Sequence, residues 1–150
     1  MEVLGLPLHP LILHVTVVVV PLVALGGIVV AVWKWARDRY GVLVLAGALV
    51  GLVSTWITRE SGKDLYDSLP AHSPAMDTHM NLASPVLWWV LGMFVGQAVL
   101  MAGEFLGRRD HPAARILHWV GVVLTIVFGI ACVIVVSLAG HAGAVAVWGG

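Results

Sequence analysis

The sequence predicts an all-α integral membrane protein, an up-down four-helix bundle with a short interfacial helix in its second loop. Three observations predict it. Apolar runs at residues 10–33, 42–57, 82–101 and 116–138 approach or reach the roughly 20 residues that cross about 30 Å of hydrocarbon. Hydrophobic residues make up 60% of the 150 and charged residues only 11%, with mean hydropathy +0.99. Soluble domains carry about 25% charged residues, so lipid must cover apolar surface that one small core cannot hide. Basic residues also cluster in alternate connections, as topology rules require. The chain is expected to form one transmembrane domain over residues 1–150.

The first helix is expected at about 10–33. No basic start and no small-residue cleavage site precede Lys34, so this segment is expected to be retained rather than removed as a signal. The second helix is expected at 41–58. Its run is the shortest, and the residues around Thr58 extend it. In the following polar connection, Ser61 and Asp64 resemble a helix start, with Leu65 and Leu69 on one face before Pro70. This is the short interfacial helix. Ser73-Pro74 reads as an N-cap with proline at the first helical position, opening a third helix at 74–103. Asp110 is a similar candidate cap for the fourth, at 112–139. The runs are too long, and apolar on too many faces, for barrel strands.

Lys34, Arg37 and Arg39 occupy the first connection, and Arg108, Arg109 and Arg115 the third. Arg59 and Lys63 stand in the second among Glu60, Asp64, Asp67 and Asp77. The positive-inside rule then predicts both termini and the long second connection on the outer side of the membrane. Trp33, Trp35, Tyr40 and Trp119 fit an inner aromatic belt; Trp56, Tyr66 and Trp148 fit an outer one.

Several functions are disfavoured. A formal net charge of zero offers nothing to nucleic acid. Cys132, the only cysteine, excludes an intrachain disulfide and a cysteine-rich zinc site. No Asp, Glu, Lys or Arg lies in the middle of a span, where pumps, coupled carriers and voltage sensors place ionisable groups. No serine sits in a hydrolase elbow, and no catalytic residue is assigned.

The histidines are the remaining lead. His14, His79 and His141 fall near the outer ends of the first, third and fourth helices, at similar expected depth. From His79 one stripe runs through Ala83, Val86, Val90, Met93 and Gln97, as a bundle-facing surface would. Imidazole ligates haem iron, zinc and copper. Two such residues suit haem b between apolar walls. Three suit a transition-metal ion, with Asp77 or Asp64 as oxygen ligand or second-shell partner. His9 and His72 are expected to be solvated or hydrogen-bonded loop residues, and His111 a helix-start residue. The competing expectation is a structural or accessory subunit of a larger membrane complex. Gly47/Gly51 and Gly92/Gly96 would pack helices within the bundle or against a membrane-protein partner or second copy.

The opening LPLHPLILHVTVVVVPL resembles a bacterial four-helix membrane family catalogued as a domain of unknown function, whose members begin with a pattern like HPxxVHFPIAL. His9, Pro10, His14 and Pro21 match or approximate it. DTHMNLAS around His79 and SLAGHAGAVAVWG around His141 are similar to features of the same family. Val15 stands where phenylalanine is common, and Thr16 where proline or an aliphatic is usual. The resemblance implies the membrane bundle and interest in these three histidines. It implies no substrate.

Overall fold

A computed structural model describes residues 2–3 and 6–148. The described chain is helical apart from one two-residue antiparallel pairing, β1 (Glu2–Val3) with β2 (Leu6–Pro7). The helices are α1 (Leu8–Val32), α2 (Lys34–Asp67), α3 (Pro74–Ala83), α4 (Val86–Gly107) and α5 (Ala114–Trp148). Four spans are long and apolar enough to cross a membrane, the third made of α3 and α4 together. The bundle closes as a ring in which α1 packs on α2 and α5, and α4 packs on α2 and α5; α3 lies on α5.

The expected loop at 34–41 is instead the first two turns of α2. Only Trp33 leaves helical geometry, at φ −117° and ψ 105°. Such a tight corner strands the last carbonyls of α1, which have no intrahelical donor. Arg37 resolves this by donating from one guanidinium nitrogen to Val30 O at 2.9 Å and Ala31 O at 3.0 Å. Lys34 pairs with Asp38 one turn on, at 2.8 Å.

The separate interfacial helix expected from Ser61 is a continuation of α2 to Asp67. Ser61 does not cap; its hydroxyl donates back to Thr58 O at 3.1 Å. No residue between Thr58 and Asp64 breaks a helix, since Gly62 costs only about 1 kcal/mol relative to alanine. At about 1.5 Å per residue, the 34 residues of α2 exceed the hydrocarbon thickness. Its last turns therefore stand above it.

Ser73 caps α3 as expected, accepting from Met76 N–H at 3.3 Å, with Pro74 first in the helix. The single helix expected over 74–103 divides at Ser84-Pro85. Proline supplies no N–H and disfavours helical geometry before it. Trp88 N–H turns to Pro85 O at 3.0 Å, and the Ser84 carbonyl is taken by Arg59 Nε at 3.3 Å.

Asp110 ends α4 rather than opening α5. It holds a left-handed φ of 52°, tolerable for Asp. The His111 N–H reaches back to Leu106 O at 3.1 Å and Asp110 N–H to Gly107 O at 3.2 Å, the paired bonds of a Schellman stop. His111 Nδ1 accepts from Ala113 N–H at 3.1 Å just before α5. That helix continues past the expected end at 139, through Gly140 and Gly143.

Close backbone approach governs the α4–α5 seam. A Cβ on Gly96 would sit 2.7 Å from Thr125 N, and one on Gly103 would sit 2.6 Å from His118 N. Gly92 lies under the Phe128 ring; Gly47 and Gly51 meet Val23 and Val20 of α1. All four glycines of the two GxxxG patterns thus face neighbours in the same chain. The core holds Val20, Ala24, Val90, Met93 and Cys132, while Leu22, Val42, Leu43 and Ile116 are exposed to the surroundings that lipid would fill.

Candidate histidine site

Of the three histidines singled out by sequence, the structure turns one into the bundle. His79 is half-buried, with Nδ1 3.0 Å from the carbonyl oxygen of Ala139 on α5. His14 lies exposed on the face of α1 that also presents Val15, Val18 and Leu22. His141 lies exposed on α5, beside Leu138 and Val145. Asp77 is engaged elsewhere, accepting from the Tyr66 hydroxyl, while the Tyr66 ring stacks on His72 at 3.8 Å. Among the described residues, no group of three or more His, Cys, Asp or Glu side chains converges as an ion would require.

The residue that answers His79 is His9, which sequence reasoning assigns to a loop. Helix α1 begins at Leu8, so His9 is helical and its ring reaches α2. Its Nδ1 lies 3.0 Å from Thr58 O and 3.5 Å from the Ser61 hydroxyl. Thr16 and Thr58 join hydroxyls at 2.8 Å beneath it, tying α1 to α2.

The two imidazoles are held alike. Each places Nδ1 on a helix carbonyl, Thr58 O or Ala139 O, and each carbonyl stands four residues before a glycine. A Cβ on Gly62 would be 2.9 Å from His9 Cε1, and one on Gly143 would be 3.1 Å from His79 Cε1. Glycine one turn beyond the carbonyl leaves room beside the helix for each ring to reach that oxygen. A carbonyl can only accept, so Nδ1 carries the proton in both rings. In the neutral tautomer the Nε2 lone pair is then available as a ligand.

Burial holds the His9 pKa below its ordinary value of 6.5. The Thr58 bond raises it by less, and a charge on His79 lowers it again, so the two rings are within electrostatic reach. A depressed value keeps His9 neutral at neutral pH, the form that ligates metal. No local sequence cue marks this pair, because each carbonyl lies 49 or 60 residues from the histidine it holds.

At the opposite end of the bundle, Glu104 Oε1 accepts from Arg37 Nε at 2.8 Å and from His118 Nδ1 at 2.9 Å. This cluster joins α2, α4 and α5.

The family model described as Predicted membrane protein (DUF2231) matches residues 5–150. No curated protein and no solved structure matches the chain.

Proposed function

Since this chain belongs to the DUF2231 family of predicted membrane proteins, we propose that it is a small membrane haem protein whose His9 and His79 are the axial ligands of a haem b. The observation that carries this is the matched pair of imidazoles, each with Nδ1–H donating to a carbonyl and Nε2 carrying the lone pair. Hydrogen bonds of that kind fix the tautomer and orientation of ligating histidines. Two imidazoles suit haem better than a bare ion. Porphyrin supplies four of the iron's ligands, whereas a zinc ion takes at least three from protein.

Held by His9 and His79, a haem would supply one-electron transfer chemistry. The chain's own part is to keep His9 neutral through burial and to orient the two rings through Thr58 and Ala139. The exposed positions of His14 and His141 favour no ligand role for them. Six basic residues at the Arg37 and Arg108 end favour placing that end in the cytoplasm of a bacterial inner membrane, and hence the pair toward the outside.

The test is a reduced-minus-oxidised absorbance spectrum of protein purified in detergent from a haem-replete host. A Soret band with sharp reduced α and β bands is expected. A colourless preparation defeats the proposal.

A further inference from the structure

The Arg37 end of the bundle carries a second site, independent of the histidine pair. A cavity of about 410 Å³ opens there between the start of α2, the end of α4 and the start of α5. Lys34, Glu104, Arg108, Arg115 and His118 line it, with Gly103, Gly107 and Ala114 as its small-residue wall.

The nearby carboxylates are already committed. Glu104 is held by Arg37 at 2.8 Å and His118 at 2.9 Å. Asp38 is shared between Lys34 at 2.8 Å and Arg108 at 3.9 Å. Four fixed cations, Lys34, Arg37, Arg108 and Arg115, thus face two carboxylates. Among the described residues Arg115 pairs with no acid, and it is exposed in the first turn of α5.

The level of the cavity is marked by aromatic rings. Trp33, Trp35 and Trp119, all more than half exposed, surround this end. Exposed tryptophans in a membrane protein sit at headgroup depth, and basic pockets between spans at that depth suit anionic headgroups. Guanidinium forks match phosphate oxygens in pairs.

We infer that this cavity binds a phosphate group, with Arg115 and Arg108 as its principal contacts, presented either by an anionic phospholipid or as the free anion. The test uses full-length protein in nanodiscs of equal phosphatidylglycerol and phosphatidylcholine, with co-purifying lipid quantified after mild extraction. A parallel arm adds inorganic phosphate to lipid-depleted protein in detergent and follows thermal unfolding. Arg115→Ala is compared with Arg39→Ala, which removes a cation from the same end but outside the cavity.

Enrichment of phosphatidylglycerol that falls at least about tenfold in Arg115→Ala, and little in Arg39→Ala, supports the site with a lipid as source. A phosphate-induced rise in unfolding temperature that Arg115→Ala abolishes supports it with the free anion as source. Equal losses in the two variants, or no response in either arm, overturn it.

Discussion

Arg37 and Glu104, which lie 67 residues apart in sequence, meet at 2.8 Å in the nearly buried interior of the bundle end. The same guanidinium closes the last turn of α1 through Val30 O and Ala31 O. One side chain therefore ends α1, anchors the start of α2 and ties both to α4.

Removing Arg37 leaves two helix carbonyls without donors and Glu104 with only His118. Breaking such a pair costs about 3–5 kcal/mol. Arg37→Ala is expected to lower the unfolding temperature in detergent markedly, and Arg37→Lys by less, because lysine keeps the charge but not the fork. Thermal unfolding of the two variants checks the order.

The two glycines beneath the histidine rings are not interchangeable with alanine. A methyl at Gly62 or Gly143 would intrude to 2.9 or 3.1 Å from a ring carbon and displace it from its carbonyl. Gly62→Ala and Gly143→Ala are each expected to reduce haem content several-fold while the helix content by circular dichroism is kept. Gly140→Ala is the control. Its added methyl meets nothing within 4 Å, so it should leave haem unchanged and raise stability by up to about 1 kcal/mol.

Much of this architecture is readable in the letters, and the misses have identifiable causes. The four apolar runs and Ser73-Pro74 announce the spans and the start of α3, because span length and capping are local. Pro85 lies within an apolar stretch, where hydropathy conceals a backbone break. Asp110 has the composition of an N-cap, yet its left-handed φ makes it a helix stop, and composition does not distinguish the two. The first connection is misread because charge suggests a loop, while Arg37 satisfies α1 through side-chain bonds to Val30 and Ala31 that composition does not announce. His9 escapes because its partners are remote in sequence. Its partners Thr58 and Ser61 are 49 and 52 residues away.

The His9 environment also predicts a pH dependence. Its pKa is lowered in the folded chain, so the unfolded chain binds the proton more readily. Its contribution is complete above the unfolded value of about 6.5 and is lost as pH falls toward the folded one. Haem-free wild type is expected to lose stability as pH falls below about 6.5, relative to its own maximum, more steeply than His9→Asn. Parallel pH profiles would remove this role from His9.

The α4–α5 seam should be sensitive to a single methyl. Gly103→Ala puts Cβ 2.6 Å from the His118 backbone nitrogen, which cannot rotate away as a side chain could. A loss of about 1–3 kcal/mol is expected from such overpacking, read by unfolding in detergent.

The most direct measurement is the ratio of haem to protein, by pyridine haemochromogen assay, in single alanine variants of His9, His79, His14 and His141. The account predicts that His9→Ala and His79→Ala each lose most of the haem, whereas His14→Ala and His141→Ala keep the wild-type ratio. Full haem in the first two variants, or its loss only in the second two, would contradict it.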